Sequence, residues 1–157
     1  MIRTGLGWDV HRLVPGRRFL LGGVEIPSET GELGHSDGDA LAHAVTDALL
    51  GAAALGDIGE LFPPSDPAWK DADSMALLRA VCTRVRAAGW HIINLDCVVI
   101  CEKPKVLPWR EAIRASLALS LSAPPEAIFV KGKTNEGLGD IGAGLAVEAM
   151  ATVLVER

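Results

Sequence analysis

Short β-rich runs alternate along this chain with longer stretches of helical periodicity. Ile2–His11 reads as a first strand. Phe19–Ile26 reads as two short strands joined by a glycine turn at Gly22-Gly23. Residues Pro27–Gly38 are polar and glycine-bearing, and read as a loop. Asp39 is placed to cap a helix running to about Ala54. Pro63, Pro64 and Pro67 make Phe62–Asp73 an irregular loop. Asp73 or Ser74 caps a second helix, with Leu77, Leu78, Val81 and Val85 on one face and Gly89 as its stop. Ile92–Glu102 predicts a central strand, Val106–Leu121 a third helix, and Ile128–Lys133 a further strand. Leu145–Val155 fits two readings: it alternates in part, but its alanines and methionine also suit a helix. Strands and helices alternating around one mixed sheet give an α/β (α+β) class. The 157 residues predict one domain, 1–157.

Composition narrows the function classes. Lys plus Arg is 15 against 20 Asp plus Glu, a net charge of -5, which leaves no basic footprint for nucleic acid. With 49% hydrophobic and 22% charged residues the chain is not of the disordered class. No apolar run approaches the ~20 residues of a membrane span. The N-terminus enters a strand-like pattern directly, so no signal peptide is expected. Cys82, Cys97 and Cys101 are odd in number and sit in apolar periodic segments, so they read as reduced core thiols. The expected compartment is the cytoplasm.

Polar positions carry the candidate chemistry. The helix from Asp39 has four polar residues, Asp39, His43, Thr46 and Asp47, in one stripe about 100° wide. Leu33–Gly59 contains no Lys, Arg or Glu, so this is not an ordinary solvated face. Aspartates four before and four after His43 suggest carboxylates orienting an imidazole for metal binding. Asp9 and His11, two apart on the first strand, leave the same face. With His43 they compose two imidazoles and one carboxylate. That set suits zinc with an open position, and equally non-haem iron.

Two loops point to anions. Gly34-His-Ser-Asp-Gly-Asp leads into a helix N-terminus, where free N–H groups favour an anion, and His35 and Ser36 would add donors. In Lys131-Gly-Lys-Thr-Asn-Glu-Gly-Leu-Gly, Lys133 suits phosphate, Thr134 offers a hydroxyl and Glu136 suits a hard cation. The spacing is not that of a Walker P-loop. Lys105 is a second candidate phosphate contact.

These segments together carry a resemblance. Gly7-Trp-Asp-Val-His, Leu21-Gly-Gly-Val-Glu-Ile-Pro, Gly34-His-Ser-Asp-Gly-Asp, Thr46-Asp-Ala-Leu-Leu-Gly-Ala-Ala-Ala-Leu-Gly-Asp-Ile-Gly and Phe62-Pro-Pro-Ser-Asp-Pro follow in order. Asp73-Ser, Asn94-Leu-Asp, Lys103-Pro-Lys and Lys131–Gly139 come after them. Over nearly its whole length the sequence resembles the 2-C-methyl-D-erythritol 2,4-cyclodiphosphate synthase family of the non-mevalonate isoprenoid pathway. The resemblance implies cyclisation of 4-diphosphocytidyl-2-C-methyl-D-erythritol 2-phosphate with release of CMP. It implies a homotrimer around a central cavity, with active sites between subunits and a four-stranded sheet packed on helices in each.

By matching position, the resemblance implies that Asp9, His11 and His43 hold zinc or another divalent transition metal. Glu136 would hold magnesium or manganese at the diphosphate. His35 would contact substrate phosphate and Thr134 the transition state. Asp57, Ile58 and Gly59 would form the erythritol turn. Phe62, Pro63, Pro64, Ser65 and Asp66 would form a flexible substrate loop. Cys101, Pro104, Lys105 and Leu107 would line the cytidine and phosphate pocket with Lys133. Val10, Ser36 and Asn135 would add substrate contacts. Two segments depart from the family pattern. Lys133-Thr-Asn stands where it reads Thr-Thr-Thr. Asp140, Ala143 and Leu145 stand where it has phenylalanine, arginine and glutamate. In the family that arginine contacts an isoprenoid diphosphate in the threefold cavity, so this chain is expected to lack the contact.

Overall fold

The computed structural model describes residues 1–157. The strands are β1 (Ile2–Pro15), β2 (Phe19–Leu21), β3 (Val24–Ile26), β4 (Thr30–Leu33), β5 (His91–Ile100), β6 (Ile128–Lys133) and β7 (Ala146–Glu156). The helices are α1 (Ala40–Ala53), α2 (Ile58–Leu61), α3 (Ser74–Ala87), α4 (Arg110–Leu121) and α5 (Gly139–Gly142). Five strands form one mixed sheet in the order β4-β1-β7-β5-β6, parallel only between β5 and β6. The expected four-stranded sheet is therefore corrected to five. The added strand, β4, lies within the predicted loop Pro27–Gly38. It is short and bears a glycine, so no alternation announces it; its backbone pairs antiparallel with Arg12–Pro15. β2 and β3 form a separate ribbon, turned at Gly22-Gly23 as expected.

The ambiguous last segment is β7, a strand at the centre of the sheet. Val147, Ala149, Ala151, Val153 and Val155 face the core in strict alternation. Pairing with β1 on one side and β5 on the other decides the conformation over the helix preference of Ala and Met.

The helices pack on one face of this sheet, and α1 is its keystone. Eleven of its residues are buried, among them Leu41, Val45, Leu49 and Leu50, which explains the absence of long charged side chains. It lies directly on β1 because β1 carries glycine at the two crossing points. A Cβ on Gly7 would stand 1.8 Å from the Ala44 carbonyl oxygen, and one on Gly5 1.9 Å from that of Ala48. Leu78, Val81 and Val85 of α3, with Ile113, Leu117 and Leu121 of α4, complete the core. The outer sheet face is uncovered in the protomer, and Leu6 and Trp8 there are 72% and 53% exposed. No helix is long and apolar enough to cross a membrane.

Two buried carboxyls tie β4, the ribbon and α1 together. Glu32 accepts from the Leu20 and Ala40 N–H groups at 2.9 and 3.2 Å. Asp39 accepts from Gly22, Gly23 and Ala42 at 2.9, 2.6 and 2.9 Å. Burial, and then the charge of Asp39, push the Glu32 carboxyl up to about 9. Above its ordinary value of 4.5 the unfolded chain releases this proton while the native state keeps it. Its contribution is thus complete below 4.5 and is lost as pH climbs toward about 9. Thermal melts are expected to show the melting temperature falling across that window. Glu32→Gln, which cannot ionise, is expected to flatten the decline; an unchanged slope would show that another group governs it.

Candidate metal centre and active site

β1 puts Asp9 and His11 on its helix-facing side, and α1, seated on the glycines of the same strand, brings His43 down upon them. Asp9 Oδ2 lies 2.8 Å from both His11 Nε2 and His43 Nδ1, and the two nitrogens are 3.2 Å apart. Zinc bonds of about 2.0 Å in a tetrahedron would set ligand atoms about 3.3 Å apart. The three donors therefore face one point with room for a divalent transition ion, and they are the candidate metal cluster of the fold. His11 Nδ1 donates to the Leu33 carbonyl at 2.9 Å, which leaves Nε2 bare toward that point. Burial opposes ionisation of Asp9, but hydrogen bonds from His11 and His43 and their charges outweigh it and hold its carboxyl down at about 2. Burial likewise works against a charged His11, and the hydrogen bond and charge of Asp9 raise its pKa nonetheless.

The cluster opens into a cavity of about 250 Å³. His35, Ser36, Ile58, Gly59, Phe62 and Pro64 line it, and so do Asp47, Trp69 and Leu77. Asp57 caps α2 by accepting from Glu60 at 2.9 Å; it precedes the lining residue Ile58 but is not itself in the wall. Pro63, Ser65 and Asp66 belong to the same loop but not to the cavity wall; Asp66 caps the turn at Pro67–Trp69. Trp69 packs edge-on against Phe62 at 5.0 Å and braces this loop.

A second cavity, of about 130 Å³, gathers Cys101, Pro104, Lys105, Leu107, Lys133 and Thr134. Glu136 is exposed beside it with left-handed backbone (φ 54°), and accepts from Thr134 Oγ1 at 3.2 Å. Asn135 is not in the wall: its N–H donates to Glu102 at 2.8 Å and its amide to Leu138 O at 2.8 Å, shaping the loop. The two cavities share no lining residue.

Two expectations are corrected. Asp39 and Asp47 do not orient His43: Asp39 caps α1 and the ribbon turn, while Asp47 accepts from Ile58 at 2.8 Å. Thr46 bonds back to the Ala42 carbonyl, so the polar stripe divides among separate tasks. The N-terminus of α1 is no anion site, because Glu32 and Asp39 already take the Ala40 and Ala42 N–H groups. Ser36 lines the cavity with its Oγ 3.0 Å from His43 Nε2. The Val10 side chain follows strand alternation to the opposite sheet face, leaving only its backbone near the cluster.

Arg17, Asp37, Ser74 and Trp69 were not singled out as site residues by the sequence. Arg17 clamps the His35 loop by donating to the Glu32, Gly34 and Ser36 carbonyls at 3.1, 3.4 and 3.1 Å. No local motif marks it, since its partners lie 15 to 19 residues away.

A mixed sheet on helices, with two imidazoles and a carboxylate converging on its longest strand, is the architecture of an α/β protein with a candidate divalent-metal site. Comparison with known proteins then fixes the family. The YgbB family model matches residues 2–156, and the chain belongs to that family. It is 58% identical over 154 residues to 2-C-methyl-D-erythritol 2,4-cyclodiphosphate synthase of Treponema denticola, covering 98% of this chain and 96% of the relative. A solved structure of a synthase of that name in its CDP-bound form superposes with a TM-score of 0.90 at 44% identity, covering 98% of this chain and all of the other. The bifunctional IspDF of Campylobacter jejuni superposes with a TM-score of 0.95 at 42% identity, covering 99% of this chain and 42% of that one.

Proposed function

We infer that this protein converts 4-diphosphocytidyl-2-C-methyl-D-erythritol 2-phosphate to 2-C-methyl-D-erythritol 2,4-cyclodiphosphate, releasing CMP, in non-mevalonate isoprenoid precursor synthesis. The observation that carries this reading is the convergence of Asp9, His11 and His43 beside a cavity in a chain of this family. The substrate brings its own nucleophile. An oxygen of its 2-phosphate bonds to the β-phosphorus, the bond from that phosphorus to the bridging oxygen breaks, and CMP leaves with the electron pair. No protein nucleophile is required, so the chain's task is positioning and charge compensation. Holding the reacting groups in a near-attack arrangement supplies about 7–11 kcal/mol.

The first cavity takes the methylerythritol phosphate portion. Asp57, Ile58 and Gly59 hold the polyol, Phe62–Asp66 covers it, and His35 donates to phosphate. The second cavity takes the cytidine end through Cys101, Pro104 and Leu107. Lys105 and Lys133 meet phosphate charge there, and Thr134 donates to the reacting phosphoryl group. Asp9, His11 and His43 would hold zinc or a similar divalent ion, which supplies positive charge against phosphate oxygens when bound. Glu136 would hold magnesium or manganese. We place this activity in the cytoplasm, on the three unpaired, buried thiols.

Phosphorus NMR of the purified protein with this substrate and divalent metal tests the reaction. The expected result is loss of the substrate resonances with stoichiometric growth of CMP and the cyclic diphosphate. Release of inorganic phosphate, or no turnover by metal-loaded protein, would overturn the assignment.

The working assembly on this reading is a homotrimer, with one cavity of each kind meeting at every subunit boundary. Its support is the uncovered apolar row on β1, Leu6, Trp8 and Val10, and the separation of the two cavities within one protomer. Mixed trimers of inactive His43→Ala and inactive Glu136→Ala subunits are expected to regain part of the activity, because some boundaries then pair two intact halves. Mixed trimers that stay inactive would place both halves in one subunit.

A further inference from the structure

His43 has a second nitrogen, and the side chains around it determine where its proton must be. Nε2 lies 2.8 Å from Ser74 Oγ and 3.0 Å from Ser36 Oγ. Ser74 is the first residue of α3, almost wholly buried, and its hydroxyl is in very short contact with Asp37 Oδ1. The same carboxylate receives the Ser74 N–H at 3.1 Å and the Asp39 N–H at 3.2 Å. A carboxylate only accepts, so the Ser74 hydroxyl proton points to Asp37. Ser74 then has only lone pairs to turn toward His43. Ser36 Oγ, which accepts the Gly38 N–H at 3.3 Å, has Ser74 Oγ 3.4 Å away as an acceptor for its own proton. All these hydrogen bonds run toward Asp37.

We propose that Asp37 and Ser74 are positioning residues, a one-way relay that keeps a proton on His43 Nε2 and so makes Nδ1 the nitrogen offered to the metal. Nδ1 is the atom that faces Asp9 and His11. The relay does for His43 what the Leu33 carbonyl does for His11: it fixes the imidazole's tautomer and ring orientation from behind. It reaches the cluster from a different part of the chain, 31 residues beyond His43, and so couples the start of α3 to the metal site. Asp37 touches neither His43 nor the cluster directly; it acts only through the serine.

The proposal rests on the metal-centre reading, and its test separates the two. Zinc affinity is measured by competition with a chromogenic chelator for wild type, Ser74→Ala, Asp37→Ala and the double variant, each checked for fold by circular dichroism. Outer hydrogen-bond partners of metal-bound histidines are worth about 10–100-fold in affinity. Each single change is expected to weaken zinc by a factor in that range, and the double change by no more than the larger single one, because a carboxylate with no hydroxyl to orient has nothing to transmit. Multiplying effects, or a wild-type affinity in Ser74→Ala, would overturn the relay. Zinc-loaded wild type labelled with ¹⁵N-histidine gives a readout that needs no variant: zinc on Nδ1 of His43 and a slowly exchanging Nε2–H. Zinc on Nε2 would overturn it as well. If wild type takes up no zinc, the metal-centre reading fails, and the Nε2–H signal of the metal-free protein still decides the relay by its presence or absence.

Discussion

Replacing His43 with alanine is expected to lower kcat/KM at least about 10³-fold, because a Lewis-acid metal contributes several kcal/mol and each 1.36 kcal/mol is tenfold. The reason lies in how the site is composed. Asp9 Oδ2 is shared by two imidazoles, so losing one leaves a carboxylate and a single histidine, too few to hold the ion tightly. Chelation of wild type is expected to give the same loss, and added zinc to restore it only where His43 is present. Steady-state kinetics with metal content measured on the same samples checks this, and circular dichroism confirms that the variant is folded. A His43→Ala protein binding zinc with wild-type affinity would remove His43 from the ligand set.

Gly7→Ala is expected to destabilise the fold by about 3 kcal/mol, at the upper end of typical overpacking costs. The new methyl would sit 1.8 Å from the Ala44 carbonyl oxygen, and a buried helix has no empty space in which to retreat. Ala44 follows His43 directly, so whatever shift of α1 relieves the clash also lifts His43 from Asp9 and His11. Denaturant unfolding is expected to show the stability loss, and chelator competition a parallel loss of zinc affinity. An exposed control on the same strand, Thr4→Ala, is expected to change neither by much. If Gly7→Ala kept full zinc affinity, the glycine crossing would not be what seats the histidine.

The cluster was legible in the sequence because its signals are local. Two ligands two apart on a strand share a face, and the third stands on a helix whose neighbours are too apolar and too short for solvent. The reading of that helix went astray at Asp39. A polar stripe drawn on a helical wheel cannot show that one member faces a glycine turn 16 residues earlier while another faces a cavity. The fifth strand escaped because its pairing is purely backbone to backbone. The last strand was ambiguous because its alanines and methionine are decided by neighbours on both sides, not by their own preference. Asp37 and Ser74, like Arg17, act across gaps in the chain that only the folded structure closes.

β1 carries one further consequence. Its odd positions, Gly5, Gly7, Asp9 and His11, build the interior crossing and the metal cluster, while its even positions, Leu6, Trp8 and Val10, form the uncovered face. Two surfaces are thus written in alternating letters of one text. A single-residue deletion between Ile2 and Gly5 would shift only the few residues before it, at the terminal end of the pairing with β7. The same deletion between Gly7 and His11 would exchange the two messages beyond it, turning Val10 toward the helix and sending a metal ligand to the outer face. Point substitutions at the even positions have graded effects, but the length of this segment admits no intermediate: one residue more or fewer carries a metal ligand to the wrong face.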